Sequence, residues 1–197
     1  MTGTRLVKST ELRDGWDWTN KVTPTISGGN AEALFKVQAR RSNPPILTYS
    51  PDDGCDYGCD TITMSKHGGT HYIQVTTGSN SNPAKPYSYC INKPISKVVD
   101  YTTIVAVHIR CDGRVSPDGS DNLNDHFFLL PRCVYTDPRM YLHHHNSTST
   151  FWLNMDQTFK KPMDVAYENW NLLHCTVEEH EKMVDSFFLD SPKYFSS

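Results

Sequence analysis

The stretch VDYTTIVAVHIRC (99–111) and the stretch HFFLLPRCVY (126–135) decide the predicted fold. Strand-forming Val, Ile, Tyr and Phe dominate both runs, which are too short and too β-branched to be convincing helices. Between them, DGRVSPDGSDNLND (112–125) contains two Asp-Gly pairs and a proline, which break regular structure. The two runs therefore predict the strands of one β-hairpin.

Other segments also have the character of strands. Thr61–Lys66 and Thr70–Thr76 flank the turn His67-Gly68-Gly69, a pattern typical of a second hairpin. Shorter strands are predicted, from alternating or β-forming residues between turn signals, at 32–41 (EALFKVQARR), 87–92 (YSYCIN) and 148–159 (TSTFWLNMDQTF). Seven or eight strands at irregular spacing favour a mainly β protein, either an antiparallel barrel or a sandwich.

The C-terminal part has a different period. From Pro162 onward apolar residues recur at steps of three, four and seven, which indicates a helical segment at about 163–189. Thr176 and Glu179 have the spacing of a capping box, so a helix is expected to start there. We expect this segment to pack on the β body, and residues 1–197 to form a single domain.

Composition limits the possible functions. The chain has 197 residues, enough for one domain with a sizeable core. Its formal net charge of −3, with charges of both signs scattered, gives no electrostatic footprint for nucleic acid, so no nucleic-acid partner is expected. No apolar run approaches the roughly 18 residues of a membrane span. A monomer without a cofactor is the expectation.

Six cysteines predict a disulfide framework. They are spread along the chain rather than gathered in metal-binding pairs: Cys55, Cys59, Cys90, Cys111, Cys133 and Cys175. Reduced buried thiols are the alternative, and the pairing cannot be read from the sequence. The expected location is therefore the secretory route or another oxidising compartment, and Asn146 begins a glycosylation sequon that fits a secreted glycoprotein.

A few residues resemble the marks of the lipocalins, within the calycin group. Asp100-Tyr101 matches the pair that starts the sixth barrel strand of that family, and Arg132 matches its later arginine. Trp16 or Trp18 stands near the place of the family's first-strand tryptophan, one residue out of register. Cys90 and Cys175 lie where some lipocalins tie a strand to the C-terminal segment. The resemblance is to divergent arthropod salivary lipocalins and to violaxanthin de-epoxidase-like enzymes.

The resemblance implies an up-and-down β-barrel of about eight strands that holds a small apolar or amphipathic ligand. A binding or carrier protein is then the leading functional hypothesis. The alternatives are a lipocalin-type isomerase or de-epoxidase acting on an isoprenoid or pigment, and a protein-interaction module that uses loops 51–60 and 112–125. Residues expected to line the hydrophobic pocket are Tyr72, Tyr89, Val105, Val107, Phe128 and Trp152.

Other chemical motifs are weak. His143 and His145 would share one face of a strand and could join a metal site, but solvated histidines are the simpler interpretation, so no metal is predicted. Asp-rich loops at 51–60 and 112–125 are explained by turn chemistry without calcium. No catalytic motif is present, so no catalytic residue is assigned and the enzyme question stays open, leaning towards a non-enzyme.

Overall fold

The protein is described from a computed structural model. It describes residues 24–51, 59–79, 88–110, 125–143, 150–155, 159 and 161–189. The strands are β1 (Leu47–Tyr49), β2 (Thr61–Met64), β3 (Thr70–Ser79), β4 (Ser88–Ile91), β5 (Ile104–Arg110), β6 (Asp125–Pro131) and β7 (Phe151–Asn154). The α-helices are α1 (Pro24–Arg41), α2 (Arg132–Tyr135), α3 (Pro138–His143), α4 (Met163–Ala166) and α5 (Val177–Met183). Short 3₁₀ helices lie at Ile95–Lys97, Trp170–His174 and Val184–Phe187.

The seven strands form one open, mixed sheet. Its main path is β1-β2-β3-β4-β7, and β5 and β6 branch from β3. All pairs are antiparallel except β3 with β5, which run parallel, with Ile73 opposite Ile104. The long strand β3 therefore pairs with β2, β5 and β4 in turn.

Strand β5 lies in the middle of the sheet, between β3 and β6. The predicted hairpin is confirmed over 104–110 and 125–131, with Ile104 opposite Pro131 and Arg110 opposite Asp125. Residues 132–135, predicted to continue the second strand, instead form helix α2. Residues 104 to 109 are all buried, so both faces of β5 are covered. This explains why its sequence is almost continuously apolar, since a strand with two buried faces does not alternate.

The N-terminal segment predicted as a strand at 32–41 is wrong, because these residues belong to helix α1. Ala31, Phe35 and Ala39, four residues apart, are buried against the sheet. Phe35 packs on Phe127 with ring centroids 5.7 Å apart. The alternation of Phe35, Val37 and Ala39 suggested a strand, but Val37 is exposed and a helical period of about four explains the burial better.

The barrel prediction is also wrong. Among the described strands, β1 pairs only with β2 and β6 forms a ladder only with β5, so this sheet does not close on itself. The predicted C-terminal helix is partly confirmed: 163–189 is helical but broken into short pieces. The capping box is present, because Glu179 N–H donates to Thr176 Oγ1 and Thr176 N–H donates to Glu179 Oε2. None of the described helices is both long and apolar enough to cross a bilayer.

The edge of β6 is covered by residues that follow α4. Tyr167 forms an isolated bridge with Phe128, and Glu168 N–H donates to Phe127 O at 2.8 Å. Phe127 N–H donates back to Glu168 Oε1, while Trp170 Nε1–H donates to Glu168 Oε2 at 2.8 Å. Glu168 adopts φ 46°, a left-handed conformation that is costly for a glutamate. Its carboxylate and its backbone together satisfy the strand edge.

Described cysteines do not form the predicted disulfides. Cys59, Cys90, Cys133 and Cys175 carry free thiols, which removes the proposed Cys90–Cys175 link, while Cys55 and Cys111 lie outside the described residues. Burial raises the pKa of each of these four thiols, so the unreactive thiol form is favoured. The reduced-thiol alternative therefore holds for these four.

We expect the denatured protein, prepared without reductant, to react with at least four equivalents of a thiol-specific chromophoric reagent. Free thiols react with the reagent, and disulfides do not. Protein reduced before denaturation provides the six-cysteine control. Fewer than four equivalents in the unreduced sample would contradict the thiol assignment.

A group of histidines joins β3 to the C-terminal segment. His71 is buried, its Nε2 lies 2.8 Å from Cys175 O, and its Nδ1 lies 3.2 Å from Thr103 Oγ1. The His71 ring stacks on His180 with centroids 5.0 Å apart. Gly69 permits this close approach, because a Cβ there would lie 2.7 Å from the Cys175 carbonyl oxygen. Burial, followed by the neighbouring His180, lowers the pKa of His71 to about 4.

Acid is expected to destabilise the fold through His71. Its pKa is lower in the folded than in the unfolded chain, so its contribution is complete above pH 6.5 and is lost as the pH falls towards 4. The full loss is about 3 kcal/mol. Urea unfolding of His71→Gln from pH 7.5 to 4 should give a shallower pH dependence than the wild type.

The exposed His67 supplies the control. His67→Gln should keep the wild-type slope. Equal slopes for wild type and His71→Gln would show that His71 does not carry the acid sensitivity.

Candidate functional site

A polar pair lies where β2 begins beside β3. Asp60 directly precedes β2 and donates its backbone N–H to Ile73 O at 2.8 Å. Its Oδ2 accepts hydrogen bonds from Gln74 Nε2 and from Val75 N–H, both at 2.6 Å. Gln74 is buried, whereas Asp60 is partly exposed. The Asp60 carboxylate is therefore held in one orientation at the start of β2, beside the middle of β3.

Basic side chains of α1 lie near the same end of the sheet. Lys36 Nζ donates to Ser50 Oγ at 2.8 Å, and Arg40 Nε donates to Thr48 Oγ1 at 2.8 Å. The helix thus runs opposite to β1. Because Tyr49 pairs with Ile62, the same register continued by one residue places Ser50 opposite Thr61, next to Asp60. Lys36 is therefore close to the Asp60 end of the sheet.

Neither basic side chain is neutralised within the described ranges. No ion pair there involves Lys36 or Arg40, whose hydrogen bonds go to hydroxyl and backbone oxygens. Glu32 lies one helical turn before Lys36 on α1. This end of the sheet combines a fixed carboxylate, an amide and two basic side chains that form no ion pair within the described ranges. Such a combination suits a ligand that carries phosphate.

A second polar cluster is sealed inside the protein. His108 Nε2 lies 2.7 Å from Asp125 Oδ1, and both side chains are almost fully buried. Beside them, burial raises the pKa of Glu168 and lowers the pKa of His126 to about 4. Glu168 is already bonded to Phe127 and Trp170. This buried cluster holds β5, β6 and the C-terminal segment together.

The structure does not gather the six residues predicted to line a pocket. Val105, Val107 and Phe128 are buried in the core of the sheet, with Val107 paired to Phe128. Tyr72 and Trp152 are exposed on β3 and β7, and Tyr89 is buried on β4. An open sheet has no barrel lumen for these side chains to face.

Two of the lipocalin marks do meet, but in a different role. Arg132 Nη2 donates to Asp100 Oδ1 at 2.7 Å, and the Asp100 side chain is fully exposed. Tyr101 packs edge-on against Tyr72, with centroids 6.1 Å apart. The hairpin register brings Asp100 and Arg132 together because they lie beyond the paired residues Ile104 and Pro131. Trp16 and Trp18 lie outside the described residues.

The described residues give no support to the histidine metal site. His143 is the last residue of helix α3, so it does not lie on the strand that was expected to carry His143 and His145. His144 and His145 lie outside the described residues. Over the ranges that the structure covers, no three His, Cys, Asp or Glu side chains form a group able to hold a metal ion. Most of the two acidic loops and Asn146 lie outside those ranges.

Comparisons with known proteins show the class of fold. No protein-family model matches the chain, and no curated protein is significantly similar in sequence. The mixed sheet with its packed helices is the fold of a solved endonuclease. That structure is the bacterial homing endonuclease I-Ssp6803I, with a TM-score of 0.52 and 14% sequence identity over 84% of this chain and 99% of the endonuclease chain.

This likeness corrects several predictions. The lipocalin resemblance is wrong, since the sheet is open and a solved structure with a similar fold is an endonuclease. The carrier hypothesis, the lipocalin-type enzyme, the interaction module and the exclusion of nucleic acid are all contradicted by the same comparison. A net charge of −3 is an average over the chain, and it does not report the two basic side chains that α1 places beside β1.

Sequence reasoning missed most of the residues at the Asp60 end. Turn chemistry explains Asp60 in the sequence, and the strand predicted at 32–41 includes Lys36 and Arg40. Helical spacing would have put Lys36 and Arg40 on one face of α1, because they are four residues apart. Gln74 carried no signal, because its role depends on pairing between strands.

Proposed function

We propose that this protein is an endonuclease that hydrolyses phosphodiester bonds of DNA at the Asp60 end of its sheet. The observation that carries the proposal is the fold likeness to a homing endonuclease over 99% of that chain. The position of Asp60 supports it, because a partly exposed carboxylate is held there by two short hydrogen bonds from β3.

Asp60 is the candidate catalytic carboxylate. Gln74 Nε2 and Val75 N–H both bind its Oδ2, which fixes the orientation of the side chain. Gln74 is buried and acts as a positioning residue. The Asp60 carboxylate would be the protein ligand for a hard cation such as Mg²⁺, which keeps most of its water and also binds substrate phosphate. When bound, such a cation stabilises charge that develops on the phosphate oxygens.

The basic side chains of α1 are the proposed DNA-binding residues. Lys36 and Arg40 are four residues apart and line the helix beside β1. Their positive charges would bind the DNA backbone and place it near Asp60. Contacts of this kind depend on charge rather than base sequence, so they orient the duplex without specifying the target site.

Cleavage of DNA should depend on Asp60. We expect the full chain to nick or linearise supercoiled plasmid in MgCl₂ or MnCl₂, with product followed by agarose gel electrophoresis. Asp60→Asn should reduce the initial rate about 100-fold or more, because the carboxylate charge is lost while the side-chain shape is kept.

Asp164→Asn is the matched control, since Asp164 is an exposed carboxylate on α4. It should cleave like the wild type. Thermal melts of both variants will separate loss of chemistry from loss of folding, because Asp60 also bonds to Val75 N–H. Equal cleavage by Asp60→Asn and wild type would remove Asp60 from the reaction.

DNA binding should depend on the α1 basic face. In a mobility-shift titration without divalent metal, Lys36→Ala and Arg40→Ala should each weaken binding. Each should also reduce the slope of log K against log salt by about 0.9, the value for one lost phosphate contact. Lys182→Ala, an exposed lysine on α5, should leave both quantities unchanged. Identical slopes in all four proteins would place the DNA elsewhere.

A further inference from the structure

One face of the β1-β2-β3 region is open. Alternate residues on these strands point away from α1, and their partners on the other side, Thr48, Thr63 and His71, are buried. We call the outward set the open face. It consists of Leu47, Tyr49, Ile62, Met64, Thr70 and Tyr72.

The open face is organised in two rows. Tyr49 pairs with Ile62 and Ile62 with Tyr72, which gives a row with a tyrosine at each end. The second row is Leu47, Met64 and Thr70 in the same register. The rows are about 7 Å apart, because they are two residues apart along each strand. Tyrosine therefore stands at both ends of one row, where the neighbouring row has the shorter Leu47 and Thr70.

The exposed apolar area suits a weak, reversible interface. Leu47 is 60% exposed, Tyr49 48%, Met64 44% and Tyr72 39%, and the adjoining Tyr101 is 42% exposed. With about 200 Å² for each large side chain, these five expose roughly 450 Å². Two such surfaces would bury roughly 900 Å², which approaches the ~1,000 Å² of a specific interface before Ile62, Thr70 and the rim are included.

The chemistry of the open face favours protein over nucleic acid. None of its six residues is charged, whereas a polyanion requires cationic partners. Tyrosine and methionine, by contrast, are enriched at protein interfaces. The two rows also complement one another. When the surface meets its own copy, the tyrosines of one row face the shorter Leu47 and Thr70 of the other. A two-fold axis between two facing sheets, parallel to the rows, produces this match.

We propose that the open face is a homodimer interface, formed when a second copy of this chain packs on it face to face. The two-fold axis places Leu47 of one copy opposite Tyr49 of the other, and Met64 opposite Ile62. Sheet-on-sheet packing of this kind forms an apolar layer about 10 Å thick. The proposal goes beyond the proposed DNA cleavage and does not depend on it.

The mass of the full chain in solution tests the proposal. Sedimentation equilibrium over a range of concentrations should show a reversible monomer–dimer equilibrium for the wild type. Leu47→Lys and Tyr49→Glu should each weaken dimerisation about 10-fold to 100-fold. Leu189→Lys, at an exposed leucine outside the open face, should dimerise like the wild type.

A mixing experiment tests the axis itself. An equimolar mixture of Leu47→Lys and Tyr49→Glu should recover the dimer, because the new lysine faces the new glutamate at one contact and the native pair remains at the other. A wild type that stays monomeric at all concentrations would overturn the proposal. A dimer that persists in both single variants, or a mixture that stays monomeric, would overturn it as well.

Discussion

The parallel pairing of β3 with β5 is the constraint on which the rest of the structure depends. Ile73 to Thr77 bind Ile104 to His108, so β5 has a partner on each side and no free edge. Parallel strands need a crossover connection, which the chain makes between residues 79 and 104. Both faces of β5 must then be covered, and Phe35 of α1 reaches one of them through Phe127. The open sheet and its helices follow from this pairing.

Local sequence signals predicted the antiparallel elements well. The turn at Gly68, where φ is 94°, and the β-formers beside it predicted the β2–β3 hairpin. The apolar runs at 99–111 and 126–135 predicted β5 and β6, although each run extends beyond its strand. The parallel contact joins residues about 30 positions apart and leaves no local period, so the same strands were assembled into a barrel. Helix α1 was missed because Phe35 and Ala39 fit both patterns. They belong to a strand-like alternation every second residue and to a helical repeat every fourth residue.

The candidate site shows the same limit. Asp60 and Gln74 are brought together by strand pairing, and neither residue is unusual in the sequence alone. For Asp100 and Arg132, by contrast, the sequence signal was correct about a contact but wrong about the fold. Their spacing did correspond to a contact, an ion pair at 2.7 Å, yet the contact follows from the ends of a hairpin and does not identify a family. A correct contact can therefore support a wrong fold when many folds contain the same hairpin.

Glu168 covers the edge of β6 through its hydrogen bonds to Phe127, and this has a consequence for the chain during its synthesis. Phe127 and Glu168 are 41 residues apart, so at about 5–20 residues per second roughly two to eight seconds pass between their synthesis. During that interval the apolar run from Phe127 to Leu130 has an uncovered edge, the kind of edge that recruits strands from other chains. A nascent chain of this protein is therefore most vulnerable to aggregation late in its synthesis, after the sheet has formed and before Glu168 covers the edge of β6.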